Sequence, residues 1–253
     1  MKIGLIQYSP VWQGKELNKE KLTSLLQEEV EDVDLLIFPE MTLTGFTMRP
    51  KKYAEKLDGE SFKYFSNVAK KFKCDVIAGI IENSLAKYFN TLVHITKNGK
   101  LKSSYHKIHP FSFSNEDKHF SAGDKPVLTV INGWKTGLSI CYDLRFPELY
   151  RFYGKEKVNL IIDIANWPDT RIEHWLALLK ARAIENQCFV AGVNRVGDEL
   201  RLHYNGCSSI YDPMGRTVVS VENMERVIFA EIEMKLVNET RKKLPFLDDI
   251  KLI

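Results

Sequence analysis

Short apolar runs alternate with amphipathic stretches along the chain. Ile3–Gln7, Leu35–Phe38 and Val76–Ile80 are too short for helices and predict buried strands. Between them, Asn18–Val30 and Ser61–Phe72 predict helices, the second with Phe62, Phe65, Ala69 and Phe72 at helical spacing. A hairpin follows on Thr91–Thr96, the turn pair Asn98-Gly99 and Leu101–His106. The order then returns. Strands Thr136–Ile140, Leu160–Ala165 and Phe189–Val193 alternate with helices Pro147–Tyr153 and Ile172–Asn186, before a hairpin on Cys207–Tyr211, Met214-Gly215 and Thr217–Val221. Ile172, Trp175 or Leu176, Leu179 and Ala183 mark the inner face of the later helix, and Thr170 with Glu173 predicts a capping box at its start.

Local details also correspond between the two halves. Lys73-Cys74-Asp75-Val76-Ile77-Ala78-Gly79 matches Gln187-Cys188-Phe189-Val190-Ala191-Gly192-Val193, and Asn90 matches Asn205 before the second hairpin. The expectation is a single domain of two half-repeats, about 1–107 and 134–222, with a C-terminal tail at 236–253. Each half ends in a hairpin, which a purely parallel sheet does not need. This favours an α/β fold of two stacked mixed sheets with helices outside, a four-layer α-β-β-α sandwich with internal pseudo-two-fold duplication, over an ordinary doubly wound sheet.

Composition narrows the function classes. The 253 residues are 44% hydrophobic, enough for a substantial core, and the net charge of +3 comes without a basic block, which argues against nucleic acid as a partner. No apolar run can span a bilayer, and Met1–Gln7 looks like a strand and not a signal peptide, so no membrane association is expected. Cys74, Cys141, Cys188 and Cys207 lack paired spacing, which suggests a reduced, cytoplasmic setting. His203 with Cys207 is too sparse for a metal site, and no metal or organic cofactor is expected.

Three strand ends carry reactive side chains. Leu35–Phe38 runs through Pro39 to Glu40, and the second strand of the first hairpin leaves its sheet at Lys107. Thr136–Ile140 ends on Cys141, followed by a sharp turn and a helix opened by Pro147. In open α/β sheets such ends collect functional groups. A thiol with a pKa near 8.5 is mostly protonated at neutral pH. A carboxylate can accept its proton, while an ammonium or the amides of a helix start can favour the thiolate or hold an oxyanion. Taken singly, each residue has a plainer explanation: a loop glutamate, a surface lysine, a small core cysteine. Cys74 and Cys188 enter equivalent strands and read as core. His106 and His109 flank Lys107 and would allow a Cys-His hydrolase, but no third residue to orient either imidazole is evident in the sequence.

The three segments together resemble the signatures of the nitrilase superfamily of carbon–nitrogen hydrolases, and the resemblance runs from Met1 to about Pro245. Phe38-Pro39-Glu40-Met41, Lys107-Ile108-His109 and Ile140-Cys141-Tyr142-Asp143-Leu144-Arg145-Phe146-Pro147-Glu148 carry it, with Ala181–Gln187 and Asp212–Gly215 in support. The resemblance implies a Glu40, Lys107 and Cys141 triad, a second glutamate at Glu116, an oxyanion donor at the backbone N–H of Tyr142, and a homodimer. Cys-Tyr-Asp is similar to amidases, and true nitrilases usually carry Cys-Trp-Glu. Asn166–Arg171, His174-Trp175 and Gly192–Gly197 resemble the bacterial omega-amidases. These cleave the terminal amide of 2-oxoglutaramate or 2-oxosuccinamate to the 2-oxo acid and ammonia through a cysteine thioester. Such substrates keep a free carboxylate, for which Arg171 or Arg145 is a candidate ligand, with Trp167 as a pocket wall. Arg145 could equally form a salt bridge that shapes the turn. Deaminated glutathione amidase, an N-carbamoyl amide hydrolase, an acyltransferase and a catalytically silent small-molecule binder remain alternatives.

Overall fold

The computed structural model describes residues 1–252 and consists of two mixed β-sheets packed face to face with helices on their outer faces. The first sheet contains β1 (Lys2–Gln7), β2 (Leu35–Ile37), β3 (Asp75–Ser84), β4 (Lys87–Ile95) and β5 (Leu101–His106) in sequential order. The second is built from β6 (Leu128–Ile131), β7 (Trp134–Ile140), β8 (Leu160–Ala165), β9 (Phe189–Asn194), β10 (Val196–Glu199), β11 (Leu202–Tyr211) and β12 (Thr217–Glu222). Its order is β10-β11-β9-β8-β7-β6, with β12 also paired to β11. A last strand, β13 (Arg226–Glu231), returns to the first sheet and pairs antiparallel with β1.

Side-chain alternation explains the layers. Leu35 and Ile37 of β2 join Ile3, Leu5 and Ile77 in a core shared with Leu138, Ile140, Ile162 and Ile164 of the other sheet. The intervening Leu36 and Phe38 point the opposite way, onto Leu22 and Leu26 of α1 (Lys15–Glu29) and Phe65 and Ala69 of α3 (Glu60–Phe72). Successive strand residues face opposite sides, so one apolar run serves two layers. Beyond the second sheet lie α4 (Pro147–Lys155) and α5 (Ile172–Asn186). Trp175, Leu179 and Ala183 of α5 are buried, and Gly192 on β9 is where they approach: a Cβ there would lie 2.4 Å from Leu179 and 2.7 Å from Trp175. A short α2 (Pro50–Tyr53) and a C-terminal α6 (Met234–Lys243) complete the helices.

The structure corrects the sequence reading in several places. Helix α1 begins at Lys15, ahead of Asn18; buried Asn18 bonds Val11 and Leu43 and so ties the helix to two loops. The Thr170–Glu173 capping box does not form, because a 3-10 turn over Asp169–Arg171 leads into α5 and places Arg171 at the N-cap. Cys141 does not sit in a plain turn; it opens a 3-10 helix, Cys141–Arg145, ahead of α4. Strands β6, β10 and β13 were not anticipated. The β6–β7 and β10–β11 hairpins turn on Asn132-Gly133 and Leu200-Arg201, and Leu85-Ala86 joins β3 to β4. Asn132-Gly133 carried the usual turn signal, whereas Leu85, Ala86 and Leu200 adopt positive φ without glycine.

Candidate active site

Glu40 reaches the site because the chain crosses β3 closely after leaving β2. Phe38 N–H bonds Ile77 O at 2.8 Å, and Thr42 N–H bonds Gly79 O at 2.9 Å. A Cβ on Gly79 would lie 2.5 Å from Met41 N and 2.7 Å from Glu40 Cα, so only glycine admits this crossing. Lys107 follows the last residue of β5; its N–H bonds Asn90 O and its carbonyl accepts from Gly123 N–H. Glu116 lies on a 3-10 turn, Glu116–Lys118, in the loop that follows.

These three side chains converge and are almost completely buried. Lys107 Nζ donates to Glu40 Oε1 and Glu116 Oε2, both at 2.9 Å. Asn90 Nδ2 bridges the same two carboxylates at 2.7 and 2.8 Å. Asn166 N–H donates to Glu40 Oε2 at 2.9 Å, and Phe111 N–H to Glu116 Oε2 at 2.6 Å. Burial alone would pull the Lys107 pKa down. Glu116 and Glu40 outweigh it and hold the ammonium well above its ordinary value. A buried charge cluster of this kind persists only when every member is paired and hydrogen-bonded.

Cys141 lies at the end of β7, partly exposed, with φ of 52°. Its N–H donates to Asp163 Oδ1 at 2.9 Å, and its Sγ lies 3.9 Å from Asn166 O. The thiol interacts electrostatically with both Glu40 and Lys107. Burial and then Glu40 raise its pKa well above the ordinary value, although Lys107 opposes them. Of the two routes the sequence left open, this direction favours proton transfer to a base over a thiolate made by the surroundings alone.

The pocket above Cys141 encloses about 450 Å³ including its mouth. Phe46, Phe111, Tyr142, Trp167 and Tyr204 form aromatic walls, and Arg145 and Arg171 both line it. Arg145 lies over Trp167 at 4.7 Å and contacts His174 Nδ1 at 3.2 Å; Arg171 lies 5.8 Å from the Phe111 ring. Neither guanidinium pairs with a carboxylate among the described residues, so the salt bridge considered for Arg145 is absent. Desolvation and the neighbouring Arg171 lower the Arg145 pKa. Trp167 is fixed by Asn194, which accepts its backbone N–H at 2.7 Å, and by its indole N–H bond to Arg171 O at 2.8 Å.

The flanking histidines are engaged elsewhere. His106 bonds Glu82 at 2.8 Å and stacks on Phe89, while His109 bonds Asp143 at 2.7 Å and stacks on Phe146. Asp143 is thus an orienting carboxylate for His109, but it also receives Tyr105 OH and Ile140 N–H, and the assembly braces the turn. Cys74 and Cys188 are buried, and burial pushes each thiol up to about 12. Among the described residues no cluster could hold a metal ion, and no helix is long and apolar enough to cross a membrane.

Sequence reasoning did not single out Asn90 or Asn166 as partners of Glu40, nor Asp163 beneath Cys141. Asp163 had a visible signal, a charge inside the apolar run Leu160–Ala165. Phe46, Phe111 and Tyr204 reach the pocket from three separate loops or strands, which no local pattern announces.

Known proteins resemble this chain over nearly its whole length. The carbon-nitrogen hydrolase family profile matches residues 2–242. The 2-oxoglutaramate amidase of Bacillus subtilis is 32% identical over 251 residues, 98% of this chain and 97% of that protein. That of Paenarthrobacter nicotinovorans is 39% identical over 245 residues, 91% and 83% of the two chains. A CN-hydrolase superfamily protein of Xanthomonas campestris superposes with a TM-score of 0.95 at 33% identity, covering 100% and 98% of the two chains. The chain belongs to the carbon-nitrogen hydrolase family of the nitrilase superfamily.

Proposed function

We propose that this carbon–nitrogen hydrolase is an omega-amidase that releases ammonia from small omega-amido 2-oxo acids such as 2-oxoglutaramate and 2-oxosuccinamate. Cys141 Sγ attacks the amide carbon while Glu40 takes the thiol proton, so the thiol need not be ionised beforehand. The Lys107 ammonium and the Tyr142 N–H hold the oxyanion. At a helix start the first amides have no acceptor within the helix, and that of Cys141 is taken by Asp163, which leaves the amide of Tyr142. Glu40 returns its proton to the departing ammonia. It then draws a proton from a water that attacks the thioester, releasing the acid and restoring the thiol. Glu116 and Asn90 keep Lys107 and Glu40 in register throughout.

The observation that carries the substrate class is the pair Arg145 and Arg171, two guanidiniums without carboxylate partners among the described residues, in the pocket that contains Cys141. Arg171 takes the substrate carboxylate, Arg145 lies beside it, and Trp167 forms the wall between them and the thiol. The reading also carries a homodimer in a reducing, cytoplasmic setting. Exposed Ile184 and Phe246 and four free cysteines support it.

Ammonia release from 2-oxoglutaramate and from pentanamide, a neutral amide of equal length, tests this. The anionic substrate should be favoured at least about tenfold in kcat/KM, the equivalent of ~1.4 kcal/mol. Arg171→Met should raise KM for 2-oxoglutaramate about tenfold and leave pentanamide unchanged. Equal effects on both amides would remove Arg171 from recognition.

A further inference from the structure

Asp163 is a completely buried carboxylate on β8 without a cation within ion-pair distance among the described residues. Three donors converge on it. Cys141 N–H reaches Oδ1 at 2.9 Å; Ser139 Oγ and Tyr150 OH reach Oδ2 at 2.8 and 2.6 Å. Strand register sets up the contact, because β7 and β8 run parallel with Ser139 opposite Asp163 and Ile140 opposite Ile164. The carboxylate therefore lies beneath the point where β7 ends. There Cys141 adopts a left-handed φ of 52° that costs a non-glycine residue about 1 kcal/mol or more. Burying an acid without a counter-ion is expensive, and its pKa rises to about 7 through desolvation, even though Tyr150 and Ser139 pull the other way. An apolar residue like its neighbours Ile162 and Ile164 would avoid that cost.

We propose that Asp163 is a positioning residue for Cys141: by accepting the nucleophile's own N–H it holds the left-handed backbone that presents Sγ to Glu40 and Lys107. It also takes that amide out of the pocket, so the oxyanion meets Tyr142 N–H and not a donor on the attacking residue. Ser139 and Tyr150 anchor the far oxygen, and Tyr150 lies on α4, which ties the helix after the nucleophile to the strand beneath it. Asp163 touches no substrate; its effect passes through one hydrogen bond. The inference rests on the role proposed for Cys141.

Two readouts separate positioning from general support of the fold. The first is kcat for 2-oxoglutaramate per active site, with sites counted by stoichiometric alkylation of Cys141. The second, independent of the physiological substrate, is the rate of that alkylation by iodoacetamide; the other three cysteines are buried. Asp163→Asn keeps an acceptor oxygen for Cys141 N–H and should retain kcat within about threefold. Asp163→Leu removes the acceptor and should lower kcat per site at least about thirtyfold with KM within twofold, and should slow alkylation. Tyr150→Phe loosens the carboxylate while keeping the ring in the core, and should lower kcat about threefold to tenfold; it supplies the test should Asp163→Leu not fold. Undiminished kcat per site in Asp163→Leu or in Tyr150→Phe, or an Asn variant as impaired as the Leu variant, would overturn the inference. Turnover in Cys141→Ala would overturn the underlying role of Cys141 instead, so the two failures are distinguishable.

Discussion

The two ends of one pocket treat charge in opposite ways. At the Cys141 end, the ammonium of Lys107 lies between two carboxylates; Asn90 shares Glu40 Oε1 with it and takes Glu116 Oε1, and Asn166 takes Glu40 Oε2. At the far end, Arg145 and Arg171 line the same wall without a carboxylate partner among the described residues, close enough for Arg171 to depress the pKa of Arg145. The first arrangement is complete without ligand and suits groups that must keep their places through two proton transfers. The second is incomplete without an anion. Like charges brought together cost stability, and under the proposed function a substrate carboxylate would relieve that cost.

Substitutions should break the two ends differently. Lys107→Met leaves Glu40 and Glu116 buried without their cation. It should abolish turnover and cost about 3–5 kcal/mol, a fall in Tm of roughly 8–15 °C by calorimetry. An unchanged Tm would show that the cluster is not the paired unit described.

Asp163, the buried acid without a cation, should respond to pH. Its folded pKa of about 7 lies above the ordinary aspartate value of about 3.9, so the folded state holds a proton that the unfolded chain releases between those limits. Stability from this group is full below about pH 4 and is lost as pH rises toward 7, by up to about 1.4 kcal/mol per unit. The groups facing it are the Cys141 thiol and N–H, the Ser139 and Tyr150 hydroxyls and, at longer range, Asp143. Asparagine does not titrate, so the Tm of Asp163→Asn relative to the parent should increase between pH 5 and pH 8. A constant difference would contradict the assignment.

The smallest effect belongs to Arg145→Met, which relieves repulsion instead of breaking a pair. Its Tm should stay equal or rise by about 1–2 °C while KM for 2-oxoglutaramate increases. A clear loss of stability would make Arg145 a structural residue and remove the contrast.

The sequence exposed these two ends unequally. Glu40, Lys107 and Cys141 each follow a strand, so local periodicity located them, and a resemblance spanning the chain linked them. The central strands of both sheets and helix α5 were readable for the same reason: Leu35–Phe38, Leu160–Ala165 and Ile172–Asn186 are strongly patterned. Short β6 and β10 escaped although they pair locally; the rest of what escaped depended on contacts distant in sequence. Strand β13 pairs with β1, more than two hundred positions away, and its half-exposed edge carries a weak pattern. Asn166 and Glu40 are separated by 126 positions, and nothing near either residue announces the other. The sequence left the acidity of Cys141 open, because the balance of burial and Glu40 against Lys107 is decided only by three-dimensional distances.

The central claim is that amide cleavage passes through Cys141. Intact-mass spectrometry of protein quenched during turnover of 2-oxoglutaramate tests it most directly. The account predicts a covalent acyl adduct that maps to Cys141 and is absent from Cys141→Ala, which releases no ammonia. Ammonia release that persists in Cys141→Ala, without an adduct in either protein, would contradict it.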